Sequence, residues 1–317
     1  MTDARAVVAT AYGEPDVLAV RPIEVADPGP GQVLVEVRAA GVNPIDWKAY
    51  SGMFGTDPAN LPMRLGAEAA GVVVAVGAGA SGPAGPIGAG DEVIAYRANG
   101  AYATHLLLDA SAVVPKPAAL DFAAASGLLL TGATAVHLLT AAAVGAGDTV
   151  LVHGGSGGVG LMAVQLAGLR GARVIATASA GKHELLRELG ATPVEYGTGL
   201  RERVHAITPN GVDAAIDAVG TDEAVDTSVD LVPDRSRIAS AAAFGRAGEL
   251  GIKLVGSGPG ADPGTELRDA ARLELVRLVD SAELRVLVAQ TFPLDEAADA
   301  HREIKSGHTA GKIALVV

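Results

Sequence analysis

The stretch Thr149–Gly160, TVLVHGGSGGVG, constrains this chain more than any other part of it. Val150, Leu151 and Val152 form an apolar run of the length expected for a buried strand. Five glycines follow within seven residues, and Leu161–Leu169 then carries apolar residues at helical spacing. Gly155, Gly157 and Gly160 therefore fit G-x-G-x-x-G between a strand and a helix. The three glycines serve different physical ends. The first permits a tight turn, the second lets backbone approach a pyrophosphate, and the third lets the helix pack close to the sheet. The opening helix offers unpaired N–H groups and a positive dipole end to the phosphates. Gly154, Ser156, Gly158 and Val159 complete this expected cofactor loop.

The rest of the chain divides into two rhythms. Up to about residue 120, short apolar runs alternate with turns: Arg5–Ala9, Val17–Val20, Val33–Val37, Val72–Gly77, Asp91–Tyr96 and Tyr102–Leu108. Gly79–Gly90 reads as a glycine- and proline-rich loop. This pattern predicts a compact β-rich domain. Beyond Ala119, helical runs alternate with buried strands at 150–152, 172–177, 213–218, 237–241 and 251–256, the βαβ rhythm of a parallel, doubly wound sheet. A helix (266–280), a strand (285–290), a helix (294–306) and a last strand (312–317) follow.

Composition narrows the functions. A net charge of −12 gives no general attraction to nucleic acid or an anionic membrane. The chain has no cysteine, which excludes disulfides, cysteine nucleophiles and thiolate-bound zinc. Met1–Arg5 is polar and without a signal-peptide pattern, so a cytoplasmic protein is expected. Ala123–Gly147 is apolar enough to suggest a membrane helix, but its interruptions and its lead into the glycine loop predict one or two buried helices.

The segments AGVNPID (40–46), LGAEAAG (65–71), GDEV (90–93), the loop at 154–160, DAVG (217–220) and GKI (311–313) resemble the quinone oxidoreductase, or zeta-crystallin-like, branch of the zinc-independent medium-chain dehydrogenase/reductases. The resemblance implies a GroES-like catalytic domain over 1–120, a Rossmann domain over 121–260, and a C-terminal return to the catalytic domain over 261–317. In zinc-using relatives a cysteine stands where this chain has Asn43, and a histidine where it has Ala67. No catalytic metal is expected, and hence no Lewis acid to stabilise an alkoxide.

The second strand of the nucleotide unit ends ASAGKH (178–183), with no acid before Glu184. NAD-binding units place a carboxylate there for the ribose 2′-OH. Ser179, Lys182 and His183, together with Tyr196 after the third strand, suit a 2′-phosphate instead. A charge-assisted contact is worth about 1.5–3 kcal/mol, so the reading favours NADPH. The expected chemistry is hydride transfer to a quinone or an α,β-unsaturated carbonyl. Asn43 is the first candidate to stabilise charge on the acceptor oxygen, since its amide donates without titrating. Tyr50 is a second catalytic candidate, as a proton source; Asp46 reads as structural. Trp47, Met53, Phe54 and Phe244 are expected to wall the substrate pocket. By resemblance or by position at strand ends, Thr134, Val219, Gly220, Ala242 and Phe244 are expected to contact cofactor. Lys312 is open between a structural part and a cofactor contact. The same motifs serve a biosynthetic tailoring enoyl reductase, and a non-catalytic NADPH-binding partner or structural protein is the alternative of another class. A homodimer joined through the edge strand near 251–256 is expected.

Overall fold

The computed structural model describes residues 1–258 and 260–317. The chain forms two compact units, one of Met1–Leu130 with Arg272–Val317, the other of Thr131–Ala271. The boundaries fall inside helices, about ten residues beyond those expected at 120 and 260.

The first unit begins with β1 (Thr2–Ala9), β2 (Leu18–Val25), β3 (Gln32–Val42), α1 (Pro44–Tyr50), β4 (Met63–Arg64) and β5 (Glu68–Val76). It continues with β6 (Ser81–Gly82), β7 (Gly85–Pro86), β8 (Glu92–Tyr96), β9 (His105–Asp109), β10 (Val113–Pro115) and α2 (Phe122–Ala125). The segment expected as loop at 79–90 thus contains a small antiparallel hairpin, β6–β7. Alternation builds the core: Val33, Val35 and Val37 point into it, whereas Glu36 is half-buried and Arg38 exposed.

The second unit runs through α3 (Leu129–Ala141), β11 (Thr149–His153), α4 (Gly158–Leu169), β12 (Arg173–Thr177), α5 (His183–Glu188), β13 (Thr192–Val194) and α6 (Leu200–Ile207). It goes on with β14 (Ala214–Asp217), α7 (Asp222–Leu231), β15 (Ile238–Ser240), α8 (Ala247–Leu250) and β16 (Lys253–Leu254). All neighbouring strands are parallel, in the order β13-β12-β11-β14-β15-β16. The order reverses between β11 and β14, which is the doubly wound arrangement. The expected edge strand over 251–256 shortens to two residues; Ile252 and Val255 beside it are buried, and Val255 N–H still bonds Ser240 O at 2.9 Å.

Helix α9 (Thr265–Asp280) leads back to the first unit, which ends with β17 (Val288–Pro293), α10 (Ala297–Ser306) and β18 (Lys312–Val316). Strand β18 inserts between β3 and β17, antiparallel to the first and parallel to the second. The stretch Phe122–Ala141 is long and apolar enough to cross a membrane, yet 78% of that window is buried inside the protein.

Candidate active site

In the second unit, β11 delivers the chain into the turn Gly154–Gly157, and Gly157 caps α4 without a side-chain bond. A Cβ at Gly160 would lie 2.0 Å from the Gly154 carbonyl oxygen, so only glycine permits this packing of helix on turn. A Cβ at Gly157 would meet only the Gly154 carbonyl oxygen, at an ordinary contact distance of 3.5 Å, so no clash arises beside the helix N-terminus. Ser156, Gly158 and Val159 are partly accessible in the same turn. This cradle fits a dinucleotide pyrophosphate: backbone N–H groups at a helix start, and no side chain in the way.

Two further turns lie against each other. A Cβ at Gly220 would come within 2.6 Å of the Ala242 backbone, so the turn after β14 and the turn after β15 touch. Val219 is exposed on the first. Phe244 follows the second, and its ring packs on Gly258. Thr134 is buried on α3.

At the carboxyl ends of β12 and β13, Ser179, Lys182, His183 and Tyr196 come from neighbouring strands, joined there by the bond from Ala178 N–H to Val194 O at 3.0 Å. Tyr196 is exposed, and Ser179 and Lys182 are partly so. His183 Nε2 lies 3.2 Å from the Ala178 carbonyl, which makes it a brace of the turn. The loop holding Tyr196 is fixed by Arg203, whose guanidinium donates to the carbonyls of Glu195, Gly197 and Thr198.

The first unit buries a polar cluster around Asn43, which is 1% exposed. Lys312 Nζ donates to Asn43 Oδ1 at 2.6 Å, to Val42 O at 2.9 Å and to Glu68 Oε1 at 3.0 Å. Asn43 Nδ2 donates to Gly41 O at 3.2 Å and to Glu68 Oε1 at 3.0 Å. The other Glu68 oxygen accepts from Leu130 N–H at 2.9 Å. Both amide hydrogens of Asn43 and all three ammonium hydrogens of Lys312 are therefore committed. Asn43 was expected to offer a free amide to the acceptor; the structure engages it fully within the cluster.

A second chain of bonds starts from the same residue. Asp46 Oδ2 accepts from Asn43 N–H at 2.9 Å and from Tyr102 O–H at 2.8 Å. Tyr102 Oη also lies 3.1 Å from His301 Nε2, and His301 Nδ1 lies 2.8 Å from Tyr50 Oη. Because the one Tyr102 proton goes to Asp46, His301 donates from Nε2 and accepts the Tyr50 proton at Nδ1. Burial lowers His301 to about 4, so the imidazole is neutral. Burial also pushes Asp46 up to about 6, against the lowering pull of its Tyr102 and Asn43 bonds. Tyr50 is 1% exposed and shifted above the ordinary tyrosine value by burial. That environment disfavours the expected role as proton source, because the phenol is inside the core and its hydrogen is taken.

The expected pocket wall separates as well. Trp47 packs against the core with Lys305 Nζ 5.2 Å from its ring centroid, whereas Met53 and Phe54 are exposed. The residues that sequence reasoning missed, Glu68, Tyr102, His301, Thr177, His153, Asp217 and Ser240, are all buried polar groups at strand ends or on core faces. One signal was available: His301 lies four residues after Ala297 and three before Ile304, on the apolar face of α10.

Among the described residues no group of three or more His, Cys, Asp or Glu side chains could hold a metal ion. At the former ligand positions, Ala67 has no donor and Asn43 Oδ1 already faces the Lys312 ammonium.

Residues 29–118 match the alcohol dehydrogenase GroES-like domain family, and residues 189–315 match the family described as zinc-binding dehydrogenase. The chain is 34% identical to a quinone oxidoreductase of Pseudomonas aeruginosa, over 96% of this chain and 97% of that one. It is 31% identical to the chloroplastic NADPH-dependent alkenal/one oxidoreductase of Arabidopsis thaliana, over 96% of this chain and 77% of that one. The Escherichia coli quinone oxidoreductase, solved in complex with NADPH, superposes with a TM-score of 0.85 at 31% identity, covering 99% and 100% of the two chains. This chain, with its β-rich first unit, its doubly wound second unit and its glycine cradle, belongs to the quinone oxidoreductase branch of the medium-chain dehydrogenase/reductase superfamily.

Proposed function

We propose that the protein is an NADPH-dependent reductase that delivers hydride to a quinone or to the activated double bond of an α,β-unsaturated carbonyl, without a metal. The observation that carries this reading is the glycine cradle at α4 joined to a β12 terminus free of carboxylates up to Glu184. The cradle suits a pyrophosphate, and Ser179, Lys182 and Tyr196 suit a 2′-phosphate that an acid in that turn would repel. His183 supports the turn from its bond to Ala178. When bound, NADPH supplies the hydride; the protein supplies position and polarity.

In this reading Asn43 organises the site instead of donating freely. Its side-chain amide joins Glu68 to Lys312, and its backbone N–H ties the same piece to Asp46 in the first turn of α1. The proton that completes reduction then comes from solvent, since Tyr50 donates to His301. The working unit is a homodimer paired near β16, the end strand of the six-stranded sheet, whose outer side is met by Asp262 through bonds to Leu254 O and from Gly256 N–H, both at 2.8 Å.

Stopped-flow loss of NADPH absorbance with a simple quinone and a simple enone tests the activity. Oxidation by either acceptor supports it, and the preferred acceptor defines the subclass. Tight NADPH binding with no oxidation by any member of a quinone and enone panel would sink it in favour of a non-catalytic role. Light scattering tests the dimer: a monomer at micromolar concentration excludes it.

A further inference from the structure

The carboxyl ends of four adjacent strands carry a row of buried polar residues. His153 pairs in register with Asp217, and Asp217 with Ser240. Thr177 is the next position after the Val152–Ala176 pair on the other side. In-register residues of a parallel sheet share a face, so the four side chains stand in one line. None of them lies in the glycine fingerprint.

Their bonds go mainly to backbone N–H groups of the turns that follow. Thr177 Oγ1 accepts from Gly154 N–H at 3.0 Å. Asp217 Oδ1 accepts from Val219 N–H and Gly220 N–H, both at 2.9 Å. Ser240 Oγ donates its one proton to Asp217 Oδ2 at 2.6 Å. With that proton fixed, its lone pairs accept from Ala242 N–H at 3.0 Å and Ala243 N–H at 2.9 Å. The carboxylate therefore sets two turns at once, one directly and one through the serine. The close approach of Gly220 to Ala242 keeps them in register with each other.

These two turns follow β14 and β15, on the opposite side of the switch point from β12 and β13. A doubly wound sheet binds one mononucleotide on each half. The adenosine phosphate groups assigned above lie on the β12–β13 half, so the β14–β15 turns face the nicotinamide half. We propose that Asp217 and Ser240 form a positioning latch: together they set the two turns that receive the nicotinamide half of the cofactor, and they govern affinity for that half separately from the adenosine half. This rests on the NADPH assignment under Proposed function.

Asp217→Asn is the sharpest probe, because it keeps shape but reverses the bond to Ser240. An amide there donates to the serine oxygen and competes with Ala242 and Ala243 for its lone pairs. Titration calorimetry with NADPH and with the fragment 2′,5′-adenosine bisphosphate separates the two halves of the site. The latch predicts that Asp217→Asn and Ser240→Ala each weaken NADPH binding about tenfold or more, with fragment affinity as in wild type. The double variant should be no weaker than the weaker single variant, since both break one device. Retained fragment binding also shows that each variant is folded. If Asp217→Asn fails to fold, Ser240→Ala alone carries the test. Equal loss for both ligands, or loss for neither, overturns the latch. Wild-type protein that binds neither ligand overturns the cofactor assignment itself, and the latch with it.

Discussion

The two units bury polar groups in opposite ways. In the first, the groups answer one another: Lys312, Glu68 and Asn43 close on themselves, and Asp46, Tyr102, His301 and Tyr50 form a chain of side-chain bonds. In the second, Thr177, Asp217 and Ser240 reach forward to turn backbones, and His153 Nε2 is buried without a hydrogen-bond partner among the described residues. A closed network fixes a scaffold and has little left to offer a ligand. A forward-reaching one shapes loops whose outer surface stays open. Most residues expected to do chemistry in the first unit belong to the scaffold kind.

Breaking the closed network should have the largest effect. Lys312→Met leaves the fully buried Glu68 carboxylate without its cation, and removing one partner of a buried pair costs about 3–5 kcal/mol. Denaturant unfolding should show that loss, and Lys312→Met with Glu68→Gln should recover much of it. A full-size loss in the double variant would mean the pair is not the cause. The contrast within the glycine cradle comes next. Gly160→Ala forces a Cβ into the Gly154 carbonyl, so NADPH affinity should fall more than about a hundredfold. Gly157→Ala makes only an ordinary contact with the Gly154 carbonyl, so any loss of NADPH affinity it causes arises without loss of thermal stability. Similar melting of the two variants would contradict this account.

Asn43→Ala is a smaller probe. It strands donors and acceptors in the cluster, a cost of about 1–3 kcal/mol. Turnover should fall while NADPH affinity holds, because the cluster belongs to the first unit. Unchanged turnover would remove Asn43 from the working site.

A separate probe of the same contrast is a slope with pH. His301 and His153 are lowered to about 4 by burial, so the stability they contribute is present above 6.5 and lost as pH falls through 4. Asp46, raised to about 6, runs the other way: its contribution is present below 3.8 and lost as pH rises through 6. Two histidines against one carboxyl give a melting temperature that rises from pH 4 to 6.5. Asp46→Asn should steepen that rise and His301→Gln should flatten it; parallel profiles for all three proteins would count against these assignments.

What the sequence made legible follows sequence distance. The glycine cradle could be read because its strand, turn and helix lie within about twenty residues, each with its own periodic signature. The rhythm change near Ala119 likewise marked the two kinds of sheet. Asn43 stood out in the sequence, but its partners did not: Lys312 lies 269 residues away and Glu68 25. Tyr50 looked available only because His301, 251 residues on, was invisible beside it. The Asp217–Ser240 pair spans 23 residues, yet it depends on strand register, which no single strand's pattern supplies.

The position of β18 has a consequence for the order of synthesis. Strand β3 already pairs with β5 and β9, but its stretch Ala39–Val42 receives its second neighbour, and Glu68 its ammonium partner, only from residues 312–316. The second unit contains every strand of its own sheet between Thr131 and Ala271. On the ribosome, therefore, the nucleotide unit closes while the first-made unit still waits, its sheet open beside Ala39–Val42 and its buried carboxylate unanswered. A nascent chain stalled after Asp280 would be protease-resistant across the middle and cleavable near its beginning, the reverse of the order in which it was made.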